Sequence, residues 1–305
     1  PTNASSKIIL RSADVHALGY PTVESVKYMS RLVRERTGGR IEIVVYPNGS
    51  LGSEKSVVDM LQIGALDLGR VSVSQVAEVD PQLGIFVLPY LFKNDLHKWQ
   101  VLEGSIGNDL LAGLARWHLI GLCFQESGYR SFYNSKRPIY HPADLKGLKI
   151  RTQPSHVMSK LVESLGAVPI PINYNEVYPA LVAEVIDGAE NNLPSYLTAQ
   201  HYKKARFYSL DRHSSIPEIL LISQKTWLKL SGGDQQIMMT AARESSRYQR
   251  RLWEDFEKKS REQLQKQGTV FNEVDIEAFH QALKPFSRKY GQEYQRLLRE
   301  IEALD

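Results

Sequence analysis

Cysteine is almost missing from this 305-residue sequence; Cys123 is the only one. A single thiol excludes an intramolecular disulfide and any cysteine-based zinc site. Its setting, "LIGLCFQ", is apolar and has no evident histidine partner, which fits a buried small side chain better than a reactive one. Long hydrophobic runs are missing as well. The best stretch, "LGIFVLPYLF" from Leu83 to Phe92, falls short of the roughly 18 to 20 residues of a membrane span and contains a proline. There is no glycine-rich phosphate loop, dinucleotide fingerprint, HExxH pair or G-x-S-x-G elbow. The eight histidines are scattered, with no pair at metal-ligand spacing. These absences count against an enzyme, and no cofactor or metal is expected. Asp187 and Glu190 in "VIDGAENN" could form a catalytic carboxylate pair, but a turn with a helix cap is the simpler reading.

What is present is ordinary for a globular chain: 42% hydrophobic and 24% charged residues. The formal charge of +4 is mild. The densest basic stretch, Arg243 to Gln267, interleaves acidic residues at helical spacing, as a solvated helix face does. No recognition motif accompanies it, so no nucleic-acid partner is expected. The chain opens on "PTNASSKIILRSADVH", a short polar lead and then a strand. That fits a cytosolic protein, or a secreted one whose leader has been removed.

Strand and helix signals alternate through the first third. "KIILRSAD", "RIEIVVYP" and "LDLGRVSVSQV" read as strands. Between them lie a helix entered at Pro21 and stopped by Gly38-Gly39, and a second with Ser53 as its N-cap. This order implies a parallel α/β sheet. The pattern restarts after Cys123, with a strand in "GYRSFYNSKRPI", another in "LKGLKIRTQ", a helix ended by Gly166, the extended "VPIPIN", and a helix then a strand or turn in "YNEVYPALVAEVIDGAENN". "EILLISQKTWLKL" reads as a strand returning to the first unit. From Gly233 to Lys266 breakers are almost absent. One helix of about 30 residues would span roughly 45 to 50 Å, more than one small domain is wide. The fold class expected is therefore α/β, with two lobes, a ligand cleft at strand carboxyl ends, and a long lobe-spanning helix. The first lobe takes residues 1–125 plus about 212–250, and the second 126–211 plus about 251–305 with the C-terminal helices.

Within "LKGLKIRTQPSHVM", Arg151 ends a strand whose neighbours want burial. A guanidinium is buried only where an anion meets it.

Three segments in order carry a family likeness. They are "YPNGSLGSEKSVVDMLQIGALDLGRVS", "DLKGLKIRTQP" and "NYNEVYPALVAEVIDGAENN". Together they resemble the signatures of solute-binding proteins of tripartite ATP-independent periplasmic (TRAP) transporters, of the DctP type, over nearly the whole chain. The resemblance implies a periplasmic, non-enzymatic protein with a two-lobed periplasmic binding protein fold. It would capture a small-molecule carboxylate and hand it to TRAP membrane permease subunits; a monomer is expected. It also implies site residues. Arg151 would form a bidentate salt bridge with the ligand carboxylate, a match of planar fork to carboxylate. Asn191 would hydrogen-bond the ligand, Arg130 would be a second ligand-facing arginine, and Tyr174 would pack against the ligand.

Further positions are expected to line the site. His16 follows the first strand at its carboxyl end, with Tyr20 close behind. Glu54 starts a helix, where it could equally complement the dipole. Ser72 and Ser74 follow the third strand, and His213 is placed as a hinge or gate residue. The segment "AENNLPSYLTAQHYKKARFYSLDRHSSIPEILLIS" looks most like the hexuronate-binding branch, pointing to D-glucuronate or D-galacturonate. The alternatives are a dicarboxylate or keto acid in the same transport role, or a sugar-acid isomerase or lyase. A sensor ectodomain is a third class, one that requires a membrane segment.

Overall fold

The computed structural model describes residues 7–304; the opening polar lead lies outside the described residues. Eleven strands are found among them: β1 (Ile8–Ala13), β2 (Ile41–Tyr46), β3 (Leu68–Ser72), β4 (Leu119–Gln125), β5 (Arg130–Asn134), β6 (Lys149–Thr152), β7 (Val168–Pro171), β8 (Gly188–Asn191), β9 (Phe207–Ser214), β10 (Glu218–Ser223) and β11 (Val270–Asn272). They form two sheets, and the chain divides into two α/β units.

The first unit takes the residues up to Ser72, Leu111–Glu126 and Glu218–Glu254. Its sheet runs β2-β1-β3-β10-β4. The first three strands are parallel, because each pair is joined through a helix. β10 returns antiparallel to both β3 and β4. Register pairs Glu218 with Ser72 and with Gln125, so the start of β10 lies beside the ends of β3 and β4. Helix Pro21–Arg36 buries Val23, Val26, Met29 and Val33 at helical spacing. Val26, Met29 and Val33 pack with Leu10, Ile41, Leu68 and Leu220, and with Met238 and Ala242 of the long helix. Each such side chain contributes about 1.5–3 kcal/mol. Ser53 caps helix Glu54–Ile63, its hydroxyl accepting from the Ser56 N–H. That helix lies so close to β3 that a Cβ on Gly69 would come within 2.4 Å of Val57 Cγ1. Gly64 ends it at φ 79°, a left-handed conformation that favours glycine.

β3 is shorter than the sequence suggests. It stops at Ser72, and Val73–Val76 turns into a short helix. All four of those residues are buried, and periodicity cannot separate a buried strand from a buried helical turn in so short a run.

The second unit takes Val73–Leu110, Ser127–Pro217 and the residues from Asp255 on. Its sheet runs β11-β9-β5-β8-β6-β7. β6 is parallel to β7 and β8, while β5 is antiparallel to β8 and β9. The start of β5 therefore meets the ends of β8 and β9, with Ser131 opposite Asn191 and Arg130 opposite Ser214. Its core gathers Tyr133, Val177, Leu181, Ala189, Tyr196, Tyr208 and Leu264.

The long helix runs Gly232–Lys266, 35 residues and about 52 Å. Its residues 232–254 belong to the first unit and 255–266 to the second. Two further helices follow, Ile276–Tyr290 and Gln295–Glu302.

Candidate functional site

In both units the polar side chains singled out in the sequence gather at one edge of the sheet. Strand ends leave backbone groups and side chains facing outward there, which is where open α/β sheets hold ligands.

In the second unit, Arg151 lies in β6 and is 2% exposed, with Nε donating to the Ile172 carbonyl at 2.8 Å. Asn191 ends β8, and its side-chain oxygen accepts from the Asn192 N–H at 2.9 Å. Asn192 instead caps helix Leu193–Thr198, accepting from the Ser195 N–H. Tyr174 opens the short helical turn Tyr174–Glu176, its ring 6.2 Å from that of His201. Ser74 falls in this unit and donates to Gln153 Oε1 at 2.9 Å.

Arg130 is buried at the start of β5 and makes a two-pronged pair with Glu190, at 2.6 and 2.7 Å. A third bond runs from Nη2 to the Glu190 carbonyl. His213, in β9, closes the network. Its Nδ1 lies 2.8 Å from Asp211 and its Nε2 3.1 Å from Glu190, all buried. Burial alone would strip the imidazole of its proton, but Asp211 and Glu190 outweigh it and raise His213 to about 9. Burial likewise works against the Glu190 carboxylate; Arg130 and His213 overcome it and hold Glu190 down to about 2. Two cations thus face two carboxylates. Such a network is stable only while every member is satisfied. Asp187, the other carboxylate of "VIDGAENN", accepts the Lys149 N–H instead.

In the first unit, His16 is buried after β1, stacked on Tyr20 with ring centroids 3.8 Å apart. Its backbone N–H donates to Asp14 Oδ1. Glu54 accepts from Arg70 Nη1 at 2.7 Å and from the Ser72 N–H at 3.0 Å. Arg70 is the centre of this edge. It is 1% exposed and also binds Asp14 and, at 2.5 Å, Glu218. Burial opposes its charge, yet the three carboxylates hold it well above the usual range. Glu218 is pushed up to about 7, mainly by burial, and Arg70 offsets only part of this.

Sequence reasoning missed Arg70, Asp14, Glu218 and Asp211, and also His201. Arg70 carried a usable signal, a lone charge inside the strand "LGRVS", the same signal that exposed Arg151. His201, in "TAQHYKK", carried none.

Residues 12–293 match the family model described as DctP, bacterial extracellular solute-binding protein, family 7, and the chain belongs to that family. Three solved structures of TRAP periplasmic solute-binding proteins are similar to it. One from Bradyrhizobium sp. BTAi1, in complex with α/β-D-galacturonate, is 41% identical with a TM-score of 0.94, over 96% of this chain and 98% of that one. One from Xanthobacter autotrophicus Py2, with bound β-D-galacturonate, is 39% identical with a TM-score of 0.94, over 97% and 100%. One from Pseudomonas putida F1, with bound D-glucuronate, is 33% identical with a TM-score of 0.95, over 98% of each chain.

The chain is thus a TRAP solute-binding protein and not an enzyme. Its family is extracellular, and no helix among the described residues is long and apolar enough to cross a membrane.

Proposed function

We propose that this protein captures a hexuronate, D-glucuronate or D-galacturonate, in the periplasm and delivers it as a monomer to TRAP permease subunits. The observation that carries this reading is the buried Arg151 guanidinium near the end of β6, in a chain similar to solved structures that hold D-galacturonate and D-glucuronate. Its planar fork binds the uronate carboxylate, and the low dielectric of a buried site strengthens the pair. Asn191 and Tyr174 supply neutral polar and aromatic contacts. Arg130 and His213 act indirectly, by holding Glu190 in the strand that ends at Asn191.

The first unit's edge favours a hydroxylated ligand over a dicarboxylate. A second ligand carboxylate needs a cation, and Arg70 is already surrounded by Asp14, Glu54 and Glu218. Carboxylates accept hydrogen bonds from sugar hydroxyls and repel another carboxylate. His16, Glu54, Ser72 and Tyr20 belong to the hydroxyl-reading side of this proposal, while Ser74 positions Gln153.

The test is a thermal-shift panel of D-glucuronate, D-galacturonate, succinate and pyruvate, backed by calorimetry. A ligand bound only by the native state raises the melting temperature by mass action. Hexuronates should shift it, and should be recovered unchanged after long incubation. A shift with succinate or pyruvate alone would contradict the hexuronate assignment.

A further inference from the structure

We propose that His201 donates a hydrogen bond from Nε2 to the carboxylate held at Arg151, with Tyr133 fixing the donor tautomer. This rests on the carboxylate reading of Arg151 given above.

His201 opens the short turn His201–Lys203 and is fully buried. Its Nδ1 lies 2.6 Å from the Tyr133 hydroxyl. Tyr133 is itself fully buried, stacked on Tyr208 and tilted against Tyr196, so the phenol is fixed in place.

Two proton arrangements are open to this pair. If Nδ1–H donated to the phenol oxygen, the phenol proton and the Nε2 lone pair would both be left over. If the phenol donates to Nδ1, only the Nε2–H is left over. Each unsatisfied buried polar group is costly, so the second arrangement prevails. Burial keeps the phenol protonated and the imidazole neutral, and the charge of Arg151 adds to the latter effect.

The remaining donor is the informative atom. Among the described residues, His201 Nε2 is buried with no hydrogen-bond partner. The Tyr174 ring is 6.2 Å away, and Tyr174 lies two residues after Ile172, whose carbonyl accepts from Arg151 Nε at 2.8 Å. An N–H cannot bond to a guanidinium, since both are donors. What both can share is a group that only accepts, and a carboxylate is such a group.

The experiment is nitrogen NMR of the whole chain labelled at its histidines, titrated with D-glucuronate and D-galacturonate at pH 7, with His201→Gln for assignment. His201 should show the Nε2–H tautomer, and that resonance should move as ligand saturates. In parallel, His201→Leu should weaken hexuronate binding about ten- to a hundred-fold, as loss of a hydrogen bond to a charged group does. His201→Gln, which keeps an N–H near the Nε2 position, should retain most of the affinity. An Nδ1–H tautomer, or a resonance unmoved at saturation, overturns the proposal without needing any variant to fold. So does a His201→Leu protein that binds like wild type while Arg151→Ala does not, and in that case the carboxylate reading stands. If wild type binds no carboxylate at all, both fall together.

Discussion

Arg130 and Glu190 face each other across β5 and β8 as a buried two-pronged ion pair, Nε to Oε2 at 2.6 Å and Nη2 to Oε1 at 2.7 Å. The resemblance to the family pointed this arginine towards ligand; in the structure its Nε and Nη2 meet a protein carboxylate. The first prediction follows from that geometry. Removing one member of a buried pair leaves an uncompensated charge, at a cost of about 3–5 kcal/mol. Arg130→Ala should therefore lower stability by that order in urea unfolding. Arg130→Ala with Glu190→Gln should recover part of the loss, because no bare carboxylate remains.

The same network makes stability depend on pH at both ends of the scale. His213 is raised to about 9 in the folded chain from an ordinary 6.5. Its contribution is complete below pH 6.5 and is lost as pH rises through 9, on the order of 3 kcal/mol. Glu190 is lowered to about 2. Its contribution is present above pH 4.5 and is lost as pH falls towards 2. Urea midpoints from pH 6 to 10 should fall on the alkaline side, and His213→Gln should flatten that fall.

Arg70 gives a prediction of opposite pH sense. In Arg70→Met, the carboxylates of Asp14, Glu54 and Glu218 lose the cation they share. The variant should be strongly destabilised at pH 7 and partly recover at pH 4.5, where protonation discharges the cluster. Thermal unfolding at the two pH values reads this directly. A variant as stable as wild type at pH 7 would mean that the cluster is solvated.

The neighbours Asn191 and Asn192 should separate cleanly. Asn192 caps helix Leu193–Thr198, so Asn192→Ala should cost about 1 kcal/mol of stability. Asn191→Ala should instead weaken hexuronate binding, by about tenfold on a typical hydrogen-bond scale, with a smaller effect on unfolding. Calorimetry and urea unfolding on both variants test the division.

These residues also mark what the sequence made legible. The long helix was legible because 35 residues pass almost without a breaker. The Ser53 cap was legible because its partner is three residues away. Arg151 stood out because a charge in an apolar strand needs an anion. Arg70 sends the same signal, yet its meaning depends on Glu218, 148 positions away, and on Asp14, 56 positions away. His201 depends on Tyr133, 68 positions away, and on a packed cluster of tyrosines. Local chemistry can be read along the chain, whereas the partners in a buried network are brought together by the fold and leave no local trace.

The most direct measurement of the central claim is calorimetric titration of the wild-type chain and Arg151→Ala with D-glucuronate, D-galacturonate and succinate. The account predicts saturable binding of at least one hexuronate, lost in Arg151→Ala, with weak or no binding of succinate. Hexuronate binding unchanged in Arg151→Ala, or binding of succinate alone, would contradict it.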